Sequence, residues 1–350
     1  MTTTYLITGG AGFIGSHLTD ALLARRDRVV VLDDLSTGRS QNIAHLSGDP
    51  NFRMVVGSVR DELIVDENVH DCDVVVHLAA AVGVKLIVEQ PLRSFTTNIR
   101  GSEVVIGAAH RYQRKILVAS TSEIYGKNSH DKLTETADRW VGSPTIARWA
   151  YSEAKAVDEI LALTYHRERR LPAIVARLFN TVGARQSPAY GMVIPRLVRQ
   201  AVGGEPLTVH GDGLQTRCFC HVRDVVRALI GLLDDPRAIG EVFNVGNDHE
   251  ISIQDLASLI IRRTDSCAPI LKLPYEEVYA TGFEDMRRRV PDTTKIRNLL
   301  GWEPTLTLDD ILDETIAEAR AELADETDYE TDYVDATTTN GHGLIGHLQR

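Results

Sequence analysis

The sequence is poor in cysteine and has no long apolar run. Its four cysteines are scattered through 350 residues, too few for a disulfide framework in a chain of this length. Cys218 and Cys220 form a C-x-C rather than a C-x-x-C pair and would face opposite sides of a strand, so we predict no metal site. No stretch reaches about 18 consecutive apolar residues, which excludes a membrane-spanning helix. The chain starts without the basic stretch and cleavage site of a signal peptide, so we expect a cytoplasmic protein with reduced thiols.

Basic residues are outnumbered by acidic ones. The chain has 38 lysines and arginines against 49 aspartates and glutamates, a net charge of −11, which argues against a nucleic-acid partner. The stretch from Glu322 to the C-terminus is especially acidic, and from Asp325 onward it has no hydrophobic periodicity. Such a segment buries too little apolar surface to offset its ordering entropy. We therefore predict that residues 325–350 form an acidic, disordered tail.

The rest of the chain has the pattern of an α/β protein. The first 120 residues alternate short apolar strands with helical stretches, which predicts a parallel sheet with crossover helices. Residues 29–32 and 74–78 are apolar almost throughout, as expected of strands covered on both faces. We predict a Rossmann doubly wound parallel sheet with a smaller α/β substrate domain. The first would span residues 1–178 plus about 215–248, and the second residues 179–214 plus about 249–320.

A glycine-rich motif joins the first predicted strand to the first helix. Residues 8–15 read TGGAGFIG, in the strand-to-helix context that a dinucleotide-binding loop requires. Gly9 permits the tight turn, Gly12 lets the backbone approach a pyrophosphate, and Gly15 lets the helix pack closely on the sheet. The motif predicts a pyrophosphate at the helix N-terminus, where free N–H groups favour anions.

An acidic residue at the end of the second strand predicts which dinucleotide binds. Asp33 lies 18 residues beyond Gly15. A carboxylate there accepts hydrogen bonds from the adenosine ribose and repels a 2′-phosphate, so NAD is favoured over NADP. Arg39 lies close enough in sequence to leave NADP as the alternative.

Tyr151 and Lys155 form a second candidate pair. Residues four apart share one helix face. A phenol has a reference pKa of ~10 and needs a nearby cation before it can act as a base at neutral pH. Lys155 would supply one cation and an oxidised nicotinamide another. The Tyr-x-x-x-Lys pattern is also common on solvated helix faces, but here it follows a glycine loop and a strand that ends in polar residues 120–123.

Together these residues resemble the extended short-chain dehydrogenase/reductases that act on nucleotide sugars, over roughly residues 4–318. The matching motifs are residues 8–15, 33–38, 77–80, Asn98, 120–126, Tyr151 with Lys155, 177–180, 211–217 and 243–246. The resemblance implies a Rossmann domain, a smaller sugar-nucleotide domain, retained NAD, a UDP-sugar substrate and a homodimer.

The choice of reaction depends on a few positions within this family. Ser122-Glu123 stands where 4,6-dehydratases have Asp-Glu. The pair found here is similar to the one in UDP-glucuronate decarboxylases. Arg289, two residues before Pro291, matches an arginine that lies near the reacting carboxylate in those enzymes. Residues 147–151 are similar to the segment before the tyrosine in decarboxylases of the UDP-4-amino-arabinose pathway. Residues 80–85 differ from the proline-containing loop that many decarboxylases have at this position. The resemblance implies NAD-dependent decarboxylation of UDP-glucuronic acid to UDP-4-keto-xylose, UDP-xylose or both. The alternative is a UDP-glucose or UDP-glucuronate 4-epimerase.

Three sets of site residues are predicted. The catalytic set is Tyr151, Lys155, Thr121, Ser122, Glu123 and Arg289. The cofactor-binding set is Gly9, Gly12, Phe13, Ile14, Gly15, Asp33, Asp34, Ser36, Thr37, Gly38, Ser58, Val59, Leu78, Ala79, Ala80 and Asn98, together with Tyr151 and Lys155. The substrate-binding set is Asn180, Val193, Arg217 and Arg289.

Some of these residues have simpler alternatives. The arginines 287–289 form either a solvated basic patch, a contact to the nucleotide diphosphate or, for Arg289, a partner for the substrate carboxylate. Thr121 and Ser122 either bond the backbone or hydrogen-bond a developing oxyanion. His77 is expected to be a core histidine beside the cofactor rather than a catalytic residue.

Overall fold

The computed structural model of the protein describes four stretches of the chain. These are residues 2–83, 90–188, 192–279 and 284–339, with the backbone alone from residue 325 onward. Within these stretches no helix combines the length and the apolar character needed to cross a membrane.

The described residues contain thirteen strands and ten α-helices. The strands are β1 (Thr4–Thr8), β2 (Arg28–Asp33), β3 (Phe52–Val56), β4 (Val74–His77), β5 (Lys115–Thr121), β6 (Ala173–Leu178), β7 (Thr181–Val182), β8 (Leu207–His210), β9 (Thr216–Cys218), β10 (Cys220–His221), β11 (Val242–Val245), β12 (Glu250–Ser252) and β13 (Ile270–Leu273). The helices are α1 (Phe13–Ala24), α2 (Glu62–His70), α3 (Pro91–Arg111), α4 (Ala150–Arg169), α5 (Val193–Val202), α6 (Val222–Asp234), α7 (Ile253–Thr264), α8 (Tyr275–Val278), α9 (Thr294–Leu300) and α10 (Leu308–Thr339).

Seven of the strands form one parallel sheet in the order β11-β6-β5-β4-β1-β2-β3. β1 lies between β2 and β4, with Leu6 opposite Val30 on one side and Val75 on the other. The inner strands are buried on both faces, which explains their unbroken apolar sequence. This is the doubly wound order in which consecutive strands run outward in opposite directions from β1, so the Rossmann prediction is confirmed.

Helices cover the sheet on both sides. On one face, Leu18 of α1 and Val225 of α6 pack into a core with the sheet. On the other face, Val65 of α2, Ile106 of α3 and Ala162 of α4 form a second core. The polar ends of β1, β4 and β5 therefore open at one sheet edge between these layers, at the point where the strand order reverses.

A third core lies in the part of the chain predicted to form the smaller domain. It is built around Leu197 of α5, Leu256 of α7 and the first turns of α10. Ile296 and Trp302 lie inside the range predicted for that domain but pack in a core of the sheet, whereas Phe219 packs in the third core. The boundaries of the two domains stay a prediction.

The last helix is longer than its sequence pattern indicates. The backbone of residues 325–339 continues α10, which differs from the disorder predicted there. A helix that extends from a docked segment avoids the cost of nucleation, so it needs no hydrophobic period of its own. Residues 340–350 of the predicted tail lie outside the described residues. Before the acidic stretch begins, Glu318 of α10 accepts a hydrogen bond from the Arg185 backbone at 2.6 Å.

Deleting residues 325–350 should change thermal stability and turnover little, because the sequence of that segment offers few apolar side chains to bury. Thermal unfolding of the truncated protein tests this. The contrasting deletion, from Leu308 onward, also removes Ile311, Leu312 and Ile316 of the third core and should destabilise strongly. A melting temperature lowered by more than about 4 °C on the shorter deletion would show that the tail docks.

Candidate active site

A cleft of about 490 Å³ opens at the edge of the sheet where the strand order reverses. Its walls come from the loop after β1, the ends of β2, β4 and β5, the start of α4, and residues of the third core. Ligands of open α/β sheets bind at this position because strand ends diverge there and leave a crevice. The predicted catalytic and substrate-binding residues and most of the predicted cofactor-binding residues meet in this cleft.

The glycine loop adopts the conformation that its sequence predicts. Gly9 has φ of +74°, which favours glycine, and a Cβ atom there would lie 2.8 Å from the Ala79 backbone nitrogen. A Cβ atom on Gly15 would overlap the Gly9 carbonyl oxygen. α1 begins directly after Gly12, so its free N–H groups face the cleft. The loop is therefore shaped to let an anionic group approach the helix N-terminus.

Asp33 is held at the end of β2 by backbone donors. Its Oδ2 accepts from Ala11 N at 3.0 Å and its Oδ1 accepts from Leu35 N at 2.9 Å. Burial raises the pKa of this carboxyl, although those hydrogen bonds lower it. Gly38 supports the same residue, since a Cβ atom there would come within 2.8 Å of Asp33 Oδ2. The carboxylate keeps lone pairs for a ligand in the cleft.

The Arg39 side chain contacts residues from the second half of the chain. Its guanidinium donates to Ser187 Oγ at 3.2 Å and lies 3.6 Å from Glu322 of α10. An arginine engaged in this way is partly neutralised, which weakens the case for a 2′-phosphate beside Asp33.

Most of the predicted cofactor residues line the cleft. They are Gly9, Gly12, Phe13, Ile14, Gly15, Asp33, Asp34, Ser36, Thr37, Val59, Leu78, Ala79, Ala80, Tyr151 and Lys155. Gly38, Ser58 and Asn98 are absent from its described walls. Asn98 is buried on α3, where its side chain accepts from Ala81 N at 2.7 Å and so positions the loop after β4.

Tyr151 and Lys155 project from the first turns of α4 into the same cleft. Tyr151 is 7% exposed, and its hydroxyl has no hydrogen-bond partner among the described residues. Burial, with the nearby carboxylates Glu123 and Asp158, raises the pKa of the phenol. Lys155 Nζ lies 3.1 Å from Asp158 Oδ2. The hydroxyl is therefore available to a substrate, and it needs additional positive charge before it can ionise.

Glu123 lies in a short 3₁₀ turn that directly follows β5. Thr121 caps this turn, its Oγ1 accepting from Glu123 N at 3.2 Å. Thr121 thus accepts a bond from the backbone, and its hydroxyl hydrogen can still be donated to a ligand. The Glu123 carboxylate takes a bidentate pair from Arg148, with NH2 at 2.8 Å from Oε1. Although burial raises its pKa, Arg148 and Arg289 hold the pKa of Glu123 below its usual value.

Arg289 reaches the same carboxylate from the opposite side of the cleft. Its NH1 lies 3.6 Å from Glu123 Oε1, and its NH2 donates to Asn180 Oδ1 at 3.0 Å. Its Nε is buried with no partner among the described residues. Burial, reinforced by Arg217 and Arg148, lowers the pKa of Arg289 to about 10. A buried guanidinium in this state is stabilised by an added anion.

The charges around Arg289 do not balance. Three buried arginines, 148, 217 and 289, face two acidic side chains, Glu123 and Asp285. Arg217 donates to Asp285 at 2.9 Å, and the Tyr275 hydroxyl donates to the other Asp285 oxygen at 2.9 Å. The cluster therefore carries a net positive charge, which favours an anionic ligand in this part of the cleft.

The structure brings together all six predicted catalytic residues and all four predicted substrate residues, since each lines the cleft. Of the three arginines in residues 287–289, the first two are surface residues paired with Asp212 and Glu250. A solvated basic patch therefore describes those two, whereas Arg289 is buried.

Sequence reasoning missed three residues of the cluster. Arg148, Asp285 and Tyr275 lie at the walls of the cleft, yet no role was predicted for them. A sequence signal exists for Arg148, which precedes Tyr151 by three residues and so lies almost one helical turn before it. Asp285 and Tyr275 have no comparable local signal.

Comparison with known proteins places the chain in a family. A family model described as GDP-mannose 4,6 dehydratase matches residues 6–315. The UDP-N-acetyl-alpha-D-glucosaminuronate decarboxylase of Bacillus cytotoxicus is 40% identical over 312 residues, which are 89% of this chain and 96% of that protein. UDP-glucuronic acid decarboxylase 4 of Arabidopsis thaliana is 38% identical over 304 residues, which are 87% of this chain and 65% of that protein.

Solved structures agree with this placement. The UDP-glucuronic acid 4-epimerase of Bacillus cereus, in complex with UDP-glucuronic acid and NAD, is 30% identical to this chain with a TM-score of 0.82. The match covers 91% of this chain and 99% of that one. The resemblance predicted from the sequence motifs is confirmed: the chain belongs to the GDP-mannose 4,6-dehydratase family of extended short-chain dehydrogenase/reductases.

Proposed function

We propose that the protein is an NAD-dependent decarboxylase that converts UDP-glucuronic acid to UDP-4-keto-xylose, UDP-xylose or both. The observation that carries this proposal is the buried, net positive cluster of Arg148, Arg217 and Arg289 around Glu123, in the same cleft as Tyr151. A carboxylate-bearing sugar fits such a cluster, whereas a neutral hexose has no charge to place there. The decarboxylase names of the two relatives support the same conclusion.

The residues at the sheet edge fit NAD. The glycine loop has no room for a Cβ atom at Gly9 or Gly15, and it directs the N-terminus of α1 at the space where a pyrophosphate would lie. Asp33 would accept from the adenosine ribose, and Lys155 would donate its two remaining N–H groups to the nicotinamide ribose. When bound, NAD⁺ supplies the acceptor for the hydride that leaves C4 of the sugar.

NAD⁺ should bind far more tightly than NADP⁺, because a 2′-phosphate would meet the Asp33 carboxylate in a confined space. Isothermal calorimetry of both cofactors on the wild type tests this. Replacing Asp33 with Asn keeps the side-chain size and removes the repulsion between the carboxylate and the 2′-phosphate. The affinities for NAD⁺ and NADP⁺ should therefore differ less in this variant. Equal affinity of the wild type for both cofactors would contradict the assignment.

In the first chemical step, Tyr151 takes the proton of the 4-hydroxyl as C4 is oxidised. Its hydroxyl has no hydrogen-bond partner among the described residues, and Lys155, which lines the same cleft, would provide the cation. The product is a ketone at C4, which is β to the C6 carboxylate.

In the second step, the C5–C6 bond breaks and carbon dioxide leaves. The electron pair of that bond passes into an enolate between C5 and the C4 oxygen. Thr121 would donate its free hydroxyl hydrogen to the C4 oxygen, with Ser122 in support. Arg289 would orient the carboxylate. Glu123 and Arg289 together would direct the proton that returns to C5.

The deciding experiment is to incubate the protein with NAD⁺ and UDP-glucuronic acid, and to measure carbon dioxide and the sugar product. Release of carbon dioxide with a UDP-pentose or UDP-4-keto-pentose product supports the proposal. Interconversion of C4 epimers without carbon dioxide release would instead establish the epimerase alternative. UDP-N-acetylglucosaminuronic acid should be offered in parallel, since the Bacillus cytotoxicus relative is named for that substrate.

We also propose a cytoplasmic homodimer. Leu92 and Phe95 on α3, with Val157 and Ile160 on α4, are large apolar side chains left exposed on two helices that pack together. Burying them against a second copy would remove this apolar surface from water. A monomeric mass in analytical ultracentrifugation would contradict the dimer. The buried thiols of the described residues are unpaired, which suits a reducing compartment.

A further inference from the structure

A buried carboxylate lies behind the proposed base and has no part in the steps above. Asp158 is 1% exposed and follows Lys155 by three residues on α4. Its Oδ2 accepts a hydrogen bond from Lys155 Nζ at 3.1 Å. Within the described residues this is the one hydrogen bond of Nζ, so two of its N–H groups remain for a ligand.

A chain of buried hydrogen bonds leads from β1, which precedes the glycine loop, to Ser102 of α3. Thr8 Oγ1 accepts from Ala79 N at 3.3 Å and lies 2.7 Å from His77 Nδ1, while His77 Nε2 lies 3.0 Å from Ser102 Oγ. Burial lowers the pKa of His77 to about 3, so its ring is neutral and has one donor and one acceptor. We assign the hydroxyl hydrogen of Thr8 to Nδ1. Nε2 then donates to Ser102, whose hydroxyl is one of the groups that lower the pKa of Asp158.

Two other carboxylates near Asp158 and Tyr151 are paired with arginines. These groups are Glu159 with Arg177, at 2.8 Å, and Glu123 with Arg148 and Arg289. Asp158 differs because its partner is Lys155, the residue whose charge Tyr151 needs. Oδ1 of Asp158 is buried with no hydrogen-bond partner in the described part of the chain. Burial raises the pKa of this carboxyl, while Lys155 and Ser102 lower it.

The charge of Asp158 also affects the ionisation of Tyr151. Asp158 is one of the groups that raise the pKa of the phenol, after burial and Glu123. The positive charge of Lys155 is thus offset by its own partner. A further cation is then required before the phenol ionises near neutral pH.

We propose that Asp158 is a positioning residue that holds Lys155 Nζ in place and offsets the charge of Lys155. Tyr151 then becomes a base only when the positively charged nicotinamide is in the cleft. This inference rests on the proposed roles of Tyr151 and Lys155. It adds that the same tyrosine stays protonated when the cofactor is reduced or absent, and is then ready to return its proton to the C4 oxygen.

The test is the ionisation of Tyr151 in the complex with NAD⁺ and without substrate. Tyrosinate absorbance is titrated with pH in Asp158→Asn and in the wild type, and the signal of Tyr151 is isolated by subtracting the matching Tyr151→Phe proteins. Removing the charge should shift this ionisation to lower pH by about one pH unit, the smaller end of the effect of a nearby charge. The acid limb of the turnover profile should move in the same direction.

Two further variants separate the charge of Asp158 from its place. Asp158→Glu keeps the charge but displaces Nζ, so it should lower turnover and leave the ionisation of Tyr151 near its wild-type pH. Glu153→Gln removes a charge of the same sign from the same helix at a half-exposed position paired with Arg139, and should shift nothing. Circular dichroism establishes that each variant is folded.

An unchanged ionisation in Asp158→Asn, or a shift to higher pH, would overturn the inference. If Asp158→Asn does not fold, a shift to lower pH in Asp158→Glu overturns it as well, since that variant retains the charge. The titration needs no turnover, so failure to release carbon dioxide from UDP-glucuronic acid would refute the proposed substrate and leave this result standing.

Discussion

Replacing Tyr151 with Phe should lower turnover by about 10²–10⁴-fold, the range that general-base catalysis contributes. The substitution removes the proton acceptor and keeps the buried ring. Because the hydroxyl has no hydrogen-bond partner among the described residues, its loss leaves no polar group of the fold unsatisfied. The melting temperature and the affinity for NAD⁺ should therefore change little. Steady-state assays of carbon dioxide release, with thermal unfolding and calorimetry, test all three expectations.

Tyr112→Phe provides the matched control. The hydroxyl of Tyr112 donates to Asp66 outside the walls of the cleft, so deleting it should leave turnover unchanged. If Tyr151→Phe retains activity within about tenfold of the wild type, the tyrosine is not the general base and another group must take the 4-hydroxyl proton.

Replacing Arg289 with Met should lower decarboxylation of UDP-glucuronic acid by about 10²-fold or more, as expected when one partner of a buried charge pair is removed. A decarboxylase must hold a carboxylate that is negative at the start and absent at the end. A group that bound it too tightly would stabilise the ground state and oppose its loss. Arg289 is suited to orient the carboxylate without binding it too tightly, because its guanidinium already has two partners. NH1 lies 3.6 Å from Glu123 Oε1, and NH2 donates to Asn180 Oδ1 at 3.0 Å.

The fold should tolerate this substitution. Arg289 is buried among like charges that disfavour its own, as its lowered pKa indicates, and Glu123 keeps its bidentate partner Arg148 when Arg289 is gone. Binding of NAD⁺ should barely change, since the cofactor residues lie elsewhere in the cleft. Tyr151 and Lys155 are untouched, so slow oxidation at C4 should remain visible as absorbance of the reduced cofactor.

Arg287→Met is the matched control for Arg289→Met. It makes the same substitution two residues earlier, at an exposed side chain that pairs with Asp212 at 2.6 Å. Its turnover should equal that of the wild type. Normal decarboxylation by Arg289→Met would contradict the proposed role of Arg289, and equal losses in both variants would indicate a general effect of charge rather than a contact with the carboxylate.

Much of the cofactor half of the molecule could be predicted from short stretches of sequence. The glycine loop around Gly9, Asp33 at the end of β2 and the spacing of Tyr151 and Lys155 each depend on contacts within one strand-turn-helix unit or one helical turn. Conformation at that range is set by local sterics and periodicity, so residue type and spacing are sufficient. The buried strands were predictable for the same reason, since a parallel sheet covered on both faces requires an unbroken apolar sequence.

The charge balance of the site was decided by the tertiary structure. Glu123 meets Arg148 and Arg289 only because the turn after β5, the turn before α4 and the segment before α9 converge on one cleft. Thr8, His77 and Ser102 join three different elements into the hydrogen-bond chain behind Asp158.

The sequence by itself therefore determined the fold, the dinucleotide loop and the identity of the candidate base. Which carboxylate pairs with an arginine, and which charge offsets Lys155, followed from strand order and helix docking. Side-chain pairs between distant elements depend on the packing of the whole sheet, and the electrostatic effect of each pair depends on its burial, neither of which residue type or spacing specifies.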